Sequence, residues 1–396
     1  MLRRQKIIIF VCISIILVSL FTTKAVDINS IDATNTAFSI TPNLFNFKTV
    51  HEEPELRYNE KRVTFVSRHP GTKKDFGFLV DFLELKNVTY YTKLIEPKGE
   101  SPYILTNEEA DEICETSDYI FVTDCLTDGW NFIRDRKSKC KNLHFIVSQR
   151  ADFCAKKEDK NKFLKDLDFS LNREDEFRTN LIPNNIFEVP YAKFKGVNIT
   201  AEYPVIRPFG YTDMEAKTID NEEKNPPCLI AGRVKQDTDY LFKSVQEHTG
   251  YTCKKLPELY GGPKTLSQYN SIIVHLPHQV SVMKMWENIA HGVLIAIPSP
   301  SFLDVVCEGR LCNDIGDLNF SKKLDKKNWA KYCDFYNDPK FSNCFIQYES
   351  WEELKQLLES RSYLEHINEC RDIMQDRRLE SLRSWRKIFE KGSLTA

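Results

Sequence analysis

The sequence predicts an α/β protein: two doubly wound, Rossmann-like domains behind an N-terminal signal-anchor helix. Three observations predict it. Short apolar runs alternate with helix-period segments, and the alternation occurs twice. A charged, proline-ended stretch at 215–227 (EAKTIDNEEKNPP) separates the two series and has linker composition. A basic flank followed by an apolar run precedes both. At about 100–200 residues per domain, a chain of 396 residues fits two folded domains.

Composition narrows the class. Hydrophobic residues make up 41% and charged residues 28%, which excludes disordered, collagen-like and coiled-coil chains. Basic and acidic residues number 55 and 57, a balance that argues against a nucleic-acid binder. No apolar run of about 18 residues occurs after residue 25, so the bulk of the chain is not polytopic.

Residues 1–25 read as a signal anchor or a signal peptide. Arg3, Arg4 and Lys6 precede the apolar run 7–21, and Thr23-Lys24-Ala25 offers a cleavage site. The run lies between the lengths of a cleaved signal and an uncleaved anchor, so both remain open. The expected location is the Golgi or endoplasmic reticulum membrane, single-pass type II with a lumenal catalytic part; the alternative is secretion. Three sequons, at Asn87, Asn198 and Asn319, and 12 cysteines fit an oxidising compartment. Cys307 with Cys312, and Cys333 with Cys344, are close enough in sequence for local bridges. Residues 26–57 are polar and aperiodic, a stem.

The first domain, 58–214, is expected to hold strands at 63–66, 88–94, 119–123, 143–148 and 186–189. Its helices are expected at 75–85, 108–116, 130–137 and 156–167. The second, 228–350, is expected to hold strands at 228–231, 252–256, 271–275 and 293–297, with helices at 240–248 and 281–291. Residues 351–396 form a charged helical tail. Doubly wound sheets bind ligands beyond the carboxyl ends of their strands, which puts the site in the cleft between the domains.

The richest stretch is 275–300 (HLPHQVSVMKMWENIAHGVLIAIPSP), a strand–helix–strand unit. Ser281 is a good N-cap and Gly292 a good C-terminal stop. The free N–H groups and dipole at that helix start favour an anion such as a phosphate. Glu287 stands within the otherwise apolar helix.

These residues resemble the nucleotide-sugar-binding half of GT-B glycosyltransferases. Retaining members carry two glutamates eight residues apart, the first on the donor sugar and the second on the ribose. Glu287-Asn-Ile-Ala-His-Gly-Val resembles the second half of that pattern, and Gln279 stands where the first glutamate would be. The segment Gly232-Arg233-Val234-Lys235 resembles the family's diphosphate-gripping Gly-Arg segment. The resemblance implies donor contacts from Arg233, Lys235, Gln279, Ser281 and Glu287. It also implies a nucleotide sugar as substrate with no cofactor and no essential metal. The acceptor would be a glycan, protein or lipid, and the membrane contact would be the N-terminal anchor.

An inverting transferase needs a general base for the acceptor hydroxyl. His69, Asp124 and Asp152 follow predicted strands of the first domain and are the candidates. Asp166-x-Asp168 and Asp237-x-Asp239 mimic a metal-binding pair but lie in charged helical or pre-helical stretches. An inverting fucosyltransferase-like enzyme and an inactive secreted two-domain binding protein are the alternative readings.

Overall fold

The computed structural model describes residues 58–92, 105–136, 139–199, 204–220, 224–231, 240–257, 260–277, 283–306 and 334–391, all within one compact unit. The apolar run at 7–21, Arg233, Lys235, Asp237, Asp239, His278, Gln279 and Ser281 lie outside the described residues.

Two parallel five-stranded sheets organise the chain. The first contains β1 (Arg62–Val66), β2 (Asn87–Tyr91), β3 (Tyr119–Thr123), β4 (Leu143–Val147) and β5 (Asn180–Pro183) in the order β2-β1-β3-β4-β5. The second contains β6 (Leu229–Ala231), β7 (Lys254–Leu256), β8 (Ile273–Val274), β9 (Ile295–Pro298) and β10 (Phe345–Tyr348) in the order β10-β9-β8-β6-β7. Both sheets therefore wind identically, with their own first strand between the second and third. The sequence carries no visible repeat; the duplication is one of topology. Strand order reverses between β1 and β3, and again between β6 and β8. Such switch points open a crevice at the carboxyl edge.

Local chemistry explains the helices. α1 (Pro70–Phe82) starts earlier than the periodicity predicts, because His69 caps it and Pro70 occupies its first turn. α2 (Asn107–Thr116) opens with a capping box between Thr106 and Glu109. α3 (Trp130–Ile133) is shorter than expected, giving way to a 3-10 turn in which Asp135 has φ +55°. α4 (Lys160–Leu171) buries Phe163, Leu164 and Leu167.

The strand expected at 186–189 is not one. β5 lies at Asn180–Pro183, and α5 (Glu188–Phe194) takes the following residues. Asn185 Oδ1 accepts from Phe187 N at 3.0 Å, a local turn that starts a helix where the side chains alone suggest a strand. Pro183 is tolerated because β5 pairs only with β4 and sits at the sheet edge.

In the second half, α6 (Phe242–Thr249), the short α7 (Pro263–Leu266), α8 (Met283–Ala290), α9 (Pro300–Val306) and the short α10 (Asp334–Asn337) precede β10, a strand the sequence reading missed. The predicted tail is two helices, α11 (Trp351–Ser360) and α12 (Ile367–Lys391). α12, roughly 37 Å long at 1.5 Å per residue, is no appendage. Cys370 and Met374 near its start belong to the core of the second sheet, while Leu382, Trp385, Ile388 and Phe389 belong to a core of the first. The Trp385 ring lies 5.4 Å from Phe121 and 6.2 Å from Phe76, and Tyr119 Oη donates to Phe389 O at 2.8 Å.

Among the described residues the disulfides are Cys114–Cys140, Cys125–Cys154, Cys228–Cys253 and Cys344–Cys370. The expected Cys333–Cys344 bridge is overturned. Cys344, just ahead of β10, meets the start of α12, and its Cα lies 5.7 Å from that of Cys370. Cys307, Cys312 and Cys333 lie outside the described residues. No described helix is long and apolar enough to cross a membrane.

Candidate functional site

The carboxyl edge of the first sheet forms one wall of a small, solvent-open cleft. Thr72, Asp75, Thr123, Ser148 and Asn184 line it from the first half, Arg207 from the crossing segment, and Met283 from the start of α8. The cleft thus lies between the first sheet, the crossing segment 206–209, the start of α8 and Trp385 on α12. Asp166 and Asp168 are elsewhere and engaged. Trp130 Nε1 donates to Asp166 at 2.8 Å, and Asp168 accepts from Asn198 N at 2.6 Å. Among the described residues no group of three or more His, Cys, Asp and Glu side chains has the arrangement to hold a metal ion.

His69 and Asp124 stand on the two strands that flank the switch point, just beyond β1 and β3. His69 Nδ1 accepts from Gly71 N at 3.1 Å and from Thr72 N at 3.3 Å. A ring nitrogen that accepts two backbone N–H groups carries no proton, so the neutral ring is protonated at Nε2. Gly71 makes this cap possible, since a Cβ there would lie 2.8 Å from His69 Cε1. His69 therefore presents a donor, and its accepting nitrogen is spent on the helix.

Asp124 is buried, 4% exposed, and has φ +66°. A non-glycine residue in the left-handed region at the end of a strand carries local strain that the surroundings must hold. Gln149 Nε2 donates to its Oδ1 at 2.9 Å. The Cys125–Cys154 bridge fixes the next residue to the loop after β4. Burial raises the Asp124 pKa; the Gln149 bond and the Arg68 charge pull the other way. Beside it Arg68 Nε donates to both oxygens of fully buried Asp128 at 2.9 and 2.7 Å. That pair raises the Arg68 pKa and fills the floor of the switch point with a fixed charge pair.

The third candidate base is engaged by other side chains. Asp152 Oδ1 accepts from Tyr191 Oη at 2.9 Å, and its Oδ2 lies 2.6 Å from Lys160 Nζ and 3.8 Å from Lys195 Nζ. Its carboxylate is committed to holding α4 and α5 to the loop after β4.

Glu287 lies on α8, partly buried, with Lys284 Nζ 3.2 Å from its Oε2. Its charge acts on Asp75, a group with no role expected from the sequence. Asp75 sits on the inner face of α1 among Thr72, Phe76 and Leu79. It accepts from Phe209 N at 3.0 Å through Oδ1 and 3.2 Å through Oδ2. Burial drives the Asp75 pKa up to about 7, opposed by the backbone N–H groups of Phe209 and Tyr211. The Glu287 charge adds to the rise and Arg378 opposes it. The only trace of Asp75 in the sequence is a lone acid on an otherwise apolar helical face.

No family model matches the chain, and no curated protein matches it. Among solved structures it is similar to the crystal structure of the glycosyltransferase SnogD from Streptomyces nogalater. That match has a TM-score of 0.43 at 10% identity and covers 83% of this chain and 99% of that one.

Proposed function

We propose that the protein is a glycosyltransferase of GT-B type, moving a sugar from a nucleotide-sugar donor to a hydroxyl of a glycan, glycoprotein or glycolipid. The observation that carries the reading is Asp124: a buried, raised-pKa carboxyl with left-handed backbone, at the switch point of a parallel sheet and next to Thr123, which lines the cleft at that sheet's carboxyl edge. In this reading Asp124 takes the proton of the acceptor hydroxyl as its oxygen bonds to the sugar's anomeric carbon. The bond from that carbon to the diphosphate breaks, and the nucleoside diphosphate leaves. A base on the acceptor side implies inversion, and Gln279 in place of a glutamate fits that. Arg233, Lys235 and Ser281 would stabilise the leaving diphosphate without a metal, Gln279 would contact the donor sugar, and Glu287 would accept from the ribose hydroxyls. The four disulfides among the described residues support a lumenal or secreted location.

The test is hydrolysis and transfer with a panel of nucleotide sugars, with and without chelator, on the parent chain, Asp124→Asn and Glu287→Ala. The reading expects activity that survives chelation, a loss of about 10²–10⁴-fold in Asp124→Asn, and at least about tenfold weaker nucleotide binding in Glu287→Ala. Turnover with none of the panel, or full activity in Asp124→Asn, overturns it.

A further inference from the structure

We propose that Asn87 is a site of N-linked glycosylation whose glycan guards the outer edge of the first sheet, with Asn198 as a second glycan site. The inference rests on the lumenal or secreted location proposed above. Asn87-Val88-Thr89 and Asn198-Ile199-Thr200 have the Asn-x-Ser/Thr pattern of an acceptor. In the transfer, Asn87 Nδ2 bonds to the anomeric carbon of a lipid-linked oligosaccharide diphosphate. The bond from that carbon to the diphosphate breaks, the lipid diphosphate leaves, and the nitrogen gives up one proton.

The fold leaves both asparagines room. Asn180, Asn184, Asn185 and Asn288 are buried, and none of them begins a sequon; Asn87 and Asn198 are exposed. The pleat of β2 decides this for Asn87. Val88 and Tyr90 pack against a core of the first sheet, with the Tyr90 ring 5.9 Å from Phe65 and 6.4 Å from Phe76. Asn87 and Thr89 take the alternate positions, and both are exposed. Among the described residues Asn87 Nδ2 donates one long bond, to Glu60 O at 3.4 Å, and a glycosylated nitrogen keeps one hydrogen for it. At Asn198 the backbone is held, its N donating to Asp168 Oδ1 at 2.6 Å and its O accepting from Asn172 Nδ2 at 2.6 Å.

The two edges of the first sheet differ. β5 ends it on one side with Pro183, which has no N–H to offer a further strand. β2 ends it on the other and, among the described residues, pairs only with β1. Val88, Thr89, Tyr90 and Tyr91 favour strands, and β2 holds neither a charge nor a proline. Such an edge invites pairing with another chain. A bulky, hydrophilic glycan on its first residue supplies the obstruction that its own side chains lack.

The full-length chain is translated with sealed microsomes. Protection from protease reports entry, and an endoglycosidase shift reports glycans. Asn87→Gln and Asn198→Gln should each lose one glycan's shift, and together two. Thr89→Ala should match Asn87→Gln, and Thr89→Ser should keep the glycan. Purified in mild detergent from secretory cells, Asn87→Gln should sediment as larger species than the parent at equal concentration, and Asn198→Gln should not. Asn87→Lys, which lacks the glycan but puts a charge on the edge, should sediment like the parent. A protected chain with no shift, or with a shift unchanged by Asn87→Gln, overturns the site. Asn87→Gln sedimenting like the parent overturns the guard. A chain open to protease overturns the location reading, and the glycan sites fall with it.

Discussion

Asp75 and Arg378 grip the same short stretch of chain from opposite sides. Asp75, on α1, accepts from Phe209 N at 3.0 Å. Arg378, on α12, donates to Phe209 O at 2.6 Å and Gly210 O at 2.9 Å. Ser381 adds a bond to Arg207 O at 3.0 Å. Gly210 has φ +62°, and a Cβ there would lie 2.6 Å from Trp286 O on α8. The segment joining the two sheets is thus laced to both halves and to the helix that spans them. Arg378 is buried, and its pKa falls to about 10, chiefly through that burial.

Replacing Asp75 by Asn removes a titration. The native group is raised to about 7 from 3.8, so its neutral form is favoured in the folded chain. The stabilisation it gives is complete below the unfolded value and is lost as pH rises through about 7. Within that window parent stability should fall, relative to Asp75→Asn, by up to about 1.4 kcal/mol per pH unit. Urea unfolding of both chains at about pH 5 and about pH 7.5 measures the difference, and parallel pH profiles would refute the assignment.

His144 gives the opposite slope. It is fully buried on β4, with its ring centroid 5.0 Å from that of Phe121, and no described group bonds either ring nitrogen. Burial lowers its pKa from 6.5 to about 3. The unfolded chain takes up a proton below 6.5 that the folded chain refuses, so stability falls as pH drops from there toward about 3. His144→Phe should match the parent near neutrality and exceed it by about 2 kcal/mol near pH 5. Thermal melts across that range provide the measurement.

His69 has two separable roles. His69→Ala should cost about 1 kcal/mol by uncapping α1, and His69→Asn should recover it, since Asn is a good N-cap. Neither variant keeps the ring N–H that His69 Nε2 carries just beyond β1. Both should therefore lose transferase activity, by less than Asp124→Asn does. Recovery of activity along with stability in His69→Asn would reduce His69 to a cap.

The double variant Cys125→Ser with Cys154→Ser opens a bridge between residues 29 apart in sequence. Loop-closure entropy puts the loss at about 3–4 kcal/mol. Because the bridge joins the residues after Asp124 and Phe153, turnover should fall even below the melting transition. Calorimetric melting and turnover at low temperature separate the two effects.

Much of this was legible in the residues. Alternation of apolar runs with helical periods located most strands, because a buried parallel strand is apolar whatever its neighbours are. Helical periodicity placed the starts of α2 and α11 within one residue, because a helix face is read from adjacent residues. His69 and Asp124 were readable as loop residues after strands. Their sharing of one switch point was not, because strand order arises from pairing between distant segments.

Glu188 shows where local reading fails: its run of apolar neighbours suggests a strand, and a hydrogen bond from the Phe187 backbone to Asn185 turns it into a helix. Cys344 shows the same at longer range, since nearness in sequence pointed to Cys333 and packing brought Cys370. Local pattern determined the elements, the α/β class and the two-part layout. The common winding of the two sheets, the return of α12 onto the first half, and the burial that raises Asp75 and Asp124 were decided only by tertiary structure. Burial and strand order depend on residues far apart in the chain, and no window of sequence contains them.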